Sequence, residues 1–224
     1  MGYTGPQSAV TPLIEGLRRL EYRGYDSAGI ALGTSNKLFV EKKAGKLANL
    51  EGALSAVPEV HSGIGHTRWA THGGPTDRNA HPHLDNEGKL AVIHNGIIEN
   101  YSELKAELEK HGHTFTSETD TESVAHLLSD LRKEHGGDLT AAMREAVKRL
   151  RGSFTLLAVH ADKPDLIVGV RRNSPLVVGL GDGENFMASD VAAFIEYTKR
   201  AVELGQDEVV TITPSSISIT DLDG

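Results

Sequence analysis

Between Gly65 and Gly73 the chain reads Gly-His-Thr-Arg-Trp-Ala-Thr-His-Gly, so a guanidinium, an indole, two hydroxyls and two imidazoles fall in one short stretch bounded by glycines. That density of polar groups suits a ligand loop better than a core. Arg68 offers a planar fork of donors matched to a carboxylate, and Thr71 and His72 are close enough in sequence to line the same pocket. Together they suit an amino-acid carboxylate, whereas an isolated Arg would be read as half of a surface ion pair worth about 0–1 kcal/mol. Further along, His94-Asn95-Gly96 follows an apolar strand pattern. There the Asn95 side-chain amide and the Gly96 N–H can point at one oxygen, the arrangement of an oxyanion hole. The same Asn-Gly pair is also the commonest hairpin signal. Asp120, within Ser117–Glu122, stands at a helix start, where a carboxylate either caps the helix or receives a substrate ammonium.

Other patterns carry less. Asn79-Ala80-His81-Pro82-His83, with His66 and His72 not far off, invites a metal reading, but no nearby carboxylate completes a first-row site, and no metal is expected. Gly179-Leu180-Gly181-Asp182-Gly183 follows a strand without the full dinucleotide fingerprint or its helix. The sequence contains no cysteine, which excludes disulfides, thiolate metal sites and a cysteine nucleophile within these residues. A formal net charge of −8 opposes a general attraction to nucleic acid. No apolar run approaches the roughly 18 residues of a membrane helix, and the first residues lack a signal-peptide pattern, so a cytoplasmic protein without membrane partners is expected.

The elements that must position these groups read as one α+β domain. Leu13, Ile14, Leu17 and Leu20 recur at helical spacing, with Thr11 as N-cap and Pro12 at the first helical position. Ser27–Leu32, Lys37–Lys43, Gly63–Thr67 and Lys89–His94 read as strands. A helix follows Asn100, where Asn100 and Glu103 suggest a capping box, and the sequon at Asn100-Tyr101-Ser102 reads as this helix start. Thr119 with Glu122 suggests a second box, Asp138 caps a third helix, and Gly152 ends it. Strand composition returns at Phe154–His160, Leu166–Arg171, Leu176–Gly179 and Asn185–Ala188. A last hairpin joins Val209–Ile212 to Ser216–Ile219. Blocks of strands alternating with blocks of helices favour antiparallel layers over a parallel doubly wound sheet.

Taken together, Leu20-Glu21-Tyr22-Arg23-Gly24-Tyr25-Asp26-Ser27-Ala28-Gly29, His66–Gly73, Asn79–His83, His94–Asn100 and Ser117–Glu122 resemble the glutaminase domain of the glutamine–fructose-6-phosphate aminotransferase (isomerizing) family, and the resemblance spans nearly the whole chain in order. It implies a class II glutamine amidotransferase with the four-layer α/β/β/α N-terminal-nucleophile hydrolase sandwich and two antiparallel sheets. It further implies that Arg68, Thr71 and His72 hold the glutamine carboxylate and that Asp120 receives its ammonium. Asn95 and the Gly96 N–H then stabilise the oxyanion, Trp69 belongs to a loop closing over glutamine, and Arg23 and His81 support the site. The ligands would be L-glutamine and L-glutamate, with no cofactor. The partners would be the sugar isomerase domains of a homo-oligomeric parent that converts fructose 6-phosphate to glucosamine 6-phosphate.

The sequence departs from that family at its start. Members carry Cys-Gly-Ile-Val before the Gly-Tyr pair, whereas here Met1 is followed directly by Gly2-Tyr3, and the residues after Gly224 that would begin the isomerase domains are absent. In the family the cysteine supplies both the attacking thiol and, through its free amine, the general base. Loss of a nucleophile of this kind costs on the order of a millionfold in kcat. The expectation is a glutaminase domain that is nearly inactive as written. The alternative is a nucleophile-free glutamine-sensing or partner-docking module.

Overall fold

The computed structural model describes all 224 residues. Strand β1 (Gly2–Thr4) and helix α1 (Val10–Leu20) are followed by the hairpin of β2 (Ser27–Thr34) and β3 (Lys37–Ala44), a short α2 (Leu47–Ala53) and β4 (Ser62–Arg68). Next come β5 (His83–Leu84), β6 (Leu90–Ile98) and three helices, α3 (Tyr101–Lys110), α4 (Thr121–Glu134) and α5 (Leu139–Arg149). The remainder is β7 (Gly152–His160), β8 (Lys163–Arg172), β9 (Val177–Leu180), β10 (Asn185–Ala188), β11 (Ala201–Glu203), β12 (Val209–Ile212) and β13 (Ile217–Thr220).

These strands form two antiparallel sheets, in the orders β11-β9-β10-β1-β4-β2-β3 and β13-β12-β8-β7-β6-β5. Three apolar cores show how they stack. Along β2, Ala28, Ile30 and Leu32 pack toward α1 and α2, while Ala31 between them faces the second sheet. Along β6, Leu90 and Val92 pack toward α3, α4 and α5, while Ala91 and Ile93 face the first sheet. This period-2 alternation produces a helix–sheet–sheet–helix sandwich, the α+β architecture implied by the resemblance. Each fully buried Leu, Ile or Phe in such a layer stabilises the fold by about 1.5–3 kcal/mol relative to exposure.

Several local expectations are corrected. Helix α1 begins after Ala9 rather than at a Thr11 cap, so Thr11 lies within the first turn. Neither predicted capping box forms. The Asn100 side chain instead bridges Arg149 and Arg151 next to β7, and Glu122 accepts hydrogen bonds from Thr116 and Ser117 outside the helix. Asp138 does cap α5, accepting from the Thr140 and Ala141 N–H groups. The Asn95-Gly96 pair is not a turn: β6 runs through it to Ile98, with Asn95 opposite Thr155 and Gly96 opposite Phe154.

Candidate active site

The site lies where the apolar gap between the sheets gives way to polar side chains. On β4 the residues at alternate positions are Ile64, His66 and Arg68; on β6 they are Ala91, Ile93 and Asn95. Ile64, Ala91 and Ile93 belong to the intersheet core. The next residues on those same faces, His66 and Asn95, meet across the gap with His66 Nε2 2.8 Å from Asn95 Oδ1. Burial lowers the His66 imidazole to about 3, so it is neutral, and its Nδ1 has no partner. The proton therefore sits on Nε2 and is donated to Oδ1, which leaves both Asn95 amide N–H bonds for the cavity beyond.

That cavity, of about 310 Å³, is lined by Arg23, Arg68, Trp69, Thr71, His81, Asn95, Gly96 and Asp120 among others. It falls within the roughly 300–1,000 Å³ of small-molecule sites. Asp120 is buried, and its Oδ2 accepts the Ile98 N–H at 2.8 Å. Because N–H groups alternate sides along an antiparallel strand, the Gly96 N–H, two residues earlier, points the same way as that of Ile98, away from β7. Gly96 adopts φ +120°, and a Cβ there would come 2.0 Å from the Ser153 carbonyl oxygen. Only glycine lets the strand keep its pairing while turning this N–H to the cavity.

The Arg68 guanidinium is buried and donates to the carbonyls of His72, Gly73 and Gly74, holding the following loop against β4. Burial lowers its pKa, opposed by the charges of Asp120 and Asp26. Asp26 also pins the loop start by accepting the Ala70 N–H at 2.9 Å. Thr71 lines the cavity, whereas the His72 ring stands outside the lining residues, 6.3 Å from the Tyr101 ring. Trp69 is 57% exposed at the mouth, edge-on to Tyr25 with ring centroids 5.4 Å apart. Arg23 reaches the rim, 3.8 Å from Asp190.

Beneath the cavity the histidines form a hydrogen-bonded bed. The Thr121 hydroxyl lies 2.9 Å from His81 Nε2 and 3.0 Å from His94 Nδ1, and Thr119 Oγ1 lies 3.0 Å from His83 Nε2. Burial lowers the pKa of His81, His83 and His94, that of His83 to about 3. Local sequence pattern assigns no site role to His94 or Thr121, although both stand in stretches that carry the resemblance, and it offers His66 only as a neighbour of the His81–His83 pair. The signal for His66 was its position two residues before Arg68 on one strand face.

A second cavity, of about 230 Å³, adjoins the first around His66, Thr67 and Asn95. It occupies a gap in the first sheet. Strand β1 lies opposite Ser62–Ile64 of β4 and Asn185–Met187 of β10, and Met1 reaches Gly65, its amine donating to the Gly65 carbonyl at 2.7 Å. Strand β4 continues to Arg68, with no strand beside it there on that side. The Met1 amine is buried, which lowers it to about 5.

A family model described as a glutamine amidotransferase domain matches residues 66–196. Along the sequence, the glutamine–fructose-6-phosphate aminotransferase (isomerizing) of Streptomyces coelicolor is 60% identical over all of this chain and 37% of its own length. That of Corynebacterium glutamicum is 58% identical over 96% of this chain and 35% of its own. The chain thus spans little more than a third of these relatives. Among solved structures, the glutamine phosphoribosylpyrophosphate amidotransferase of B. subtilis, complexed with ADP and GMP, superposes with a TM-score of 0.83 at 26% identity, over 99% of this chain and 48% of that one. A predicted glutamine amidotransferase from Pseudomonas aeruginosa PA01 shares the fold, with a TM-score of 0.56 at 16% identity over 86% of each chain.

Proposed function

Because the chain belongs to the glutamine amidotransferase domain family, we propose that its cavity binds L-glutamine and that it is the glutaminase part of an enzyme making glucosamine 6-phosphate from fructose 6-phosphate. The observation that carries this reading is the convergence, in one cavity, of a buried carboxylate, a buried guanidinium with its loop, and two donors aimed at one region. Asp120 Oδ1 is free of close hydrogen bonds and takes the α-ammonium. Arg68 and Thr71, with the loop that Arg68 braces, take the α-carboxylate side. Asn95 Nδ2–H and the Gly96 N–H then receive the side-chain carbonyl oxygen, where negative charge develops on attack.

The gap beside β4 supports this reading by leaving room for an attacking group. A four-residue extension of β1, about 13 Å when extended, runs past Gly65 and Thr67 to the Asn95 end of the cavity. The family's Cys-Gly-Ile-Val segment has that length and ends in a group that can attack the amide, its free amine taking the proton. These 224 residues contain no cysteine, and glutamine binding by the cavity does not require one. The sugar isomerase domains of the parent, a cytoplasmic homo-oligomer, then consume the ammonia.

Titration of the chain with L-glutamine, set beside Arg68→Ala and Asp120→Ala, tests the binding site. Each substitution removes a charged contact and is expected to weaken binding by at least about tenfold. Equal affinity in all three proteins would remove the glutamine assignment.

A further inference from the structure

Asn79 has no part in the chemistry above, yet it is fully buried and joins two segments that the sequence keeps apart. Its Nδ2 donates to the Gly74 carbonyl at 3.1 Å and to Glu118 Oε2 at 2.9 Å, and its Oδ1 accepts the Glu118 backbone N–H at 3.0 Å. Thr76 Oγ1 accepts the Asn79 N–H at 3.3 Å and so fixes the turn that carries it. Gly74 belongs to the loop braced by Arg68, and Glu118 stands two residues before Asp120. The two segments approach too closely for a side chain at position 73. Gly73 has φ +75°, and a Cβ there would lie 2.6 Å from Asn79 Nδ2 and 3.0 Å from the Glu118 Cβ.

We propose that Asn79 is a positioning residue that sets the separation between the carboxylate side of the cavity, at Arg68 and Thr71, and its ammonium side, at Asp120, and thereby selects ligands bearing both α groups. This rests on the reading of the cavity as a glutamine site. A ligand anchored at both ends gains from the second contact only when the two anchors are held at the matching distance, because the first contact then presents the second group at high effective concentration. A ligand with one of the two groups gains nothing from that spacing. Asn79 uses both its N–H bonds and its oxygen to clamp the two segments, so its loss releases the spacing without touching either anchor.

The test uses the full chain and three probes: L-glutamine, 4-carbamoylbutanoate, which lacks the ammonium, and 4-aminobutanamide, which lacks the carboxylate. Titrations followed by NMR are compared for the unaltered chain, Asn79→Ala and Gly73→Ala. The second variant keeps Asn79 in the chain but drives a methyl against its amide and the Glu118 side chain, which pushes the same segments apart, and thermal unfolding shows which variants are folded at the titration temperature. The expected result is a loss of about tenfold for L-glutamine with less than about twofold change for the two single-ended probes. A folded variant that weakens all three probes equally, or leaves L-glutamine unchanged, overturns the proposal; if Asn79→Ala does not fold, Gly73→Ala alone decides. Failure of the glutamine reading would look different: the unaltered chain would then prefer L-glutamine to neither single-ended probe.

Discussion

His66 and Asn95 stand on different sheets, and the 2.8 Å contact from imidazole Nε2 to side-chain Oδ1 is what turns the Asn95 amide donors to the cavity. In the chain extended by Cys-Gly-Ile-Val, His66→Ala is expected to lower kcat for glutamate release by about 10- to 100-fold with KM within about twofold, because the donor acts on charge that develops during attack. A rise in KM at unchanged kcat would place His66 outside this role.

Inserting Cys-Gly-Ile-Val between Met1 and Gly2, with Met1 then removed so that the cysteine amine is free, should itself restore glutaminase activity and raise the unfolding temperature. The extension pairs with the open edge of β4 and fills the cavity of about 230 Å³ beside it. Glutamate release and calorimetry read the two effects separately. A folded, extended chain with no more activity than the unextended one would defeat the placement of the nucleophile in that gap.

Gly96→Ala meets the Ser153 carbonyl oxygen and a φ of +120° at once. Unpairing β6 from β7 or straining the backbone is expected to cost about 2 kcal/mol or more, seen as a lower urea midpoint, together with loss of glutamine binding. Unchanged stability would mean that the strand relaxes freely at this position.

Acid should weaken the fold before ordinary carboxylates titrate. His66 and His83 are held at about 3 by burial, against about 6.5 in an unfolded chain. Well above pH 6.5 neither state is protonated and they cost nothing. As pH falls from 6.5 toward 3 the unfolded chain takes up protons that the folded one refuses, and stability falls by up to about 1.4 kcal/mol per pH unit for each. The Met1 amine, lowered to about 5, acts in the same direction between pH 8 and 5. Urea midpoints between pH 7 and 5 should decline, less steeply in His83→Gln; parallel slopes in the two proteins would contradict a neutral, buried His83.

Apolar pattern made the layers legible. The continuous apolar runs Ala28–Leu32 and Leu90–Ile93 mark strands covered on both faces, and the apolar faces of α1, α4 and α5 are plain in the spacing of their leucines and valines. What local pattern could not show was set by distant partners. Asn95-Gly96 has the composition of a turn, yet pairing with Phe154 and Thr155 keeps it in a strand. Thr119 and Glu122 have the spacing of a capping box, but Glu122 is drawn to Thr116 and Ser117, and Thr119 to His83. Strand β1 has too few residues to announce itself and exists because β4 and β10 flank it. Within the site, Arg68, Trp69, Thr71, Asn95, Gly96 and Asp120 came together around one cavity, as did Arg23 and His81, while the His72 ring lies outside the lining residues. Sequence spacing alone put it with Thr71, but the Arg68 contact to the His72 carbonyl turns the backbone, not the ring, inward.

The hydroxyl of Thr121 has one hydrogen to give and two imidazoles beside it, those of His81 and His94. At least one ring must therefore carry its own hydrogen on the nitrogen facing Thr121. The tautomers beneath the cavity are thus chosen jointly, and a valine at 121, nearly the same shape, would leave both rings without the contact that orients them.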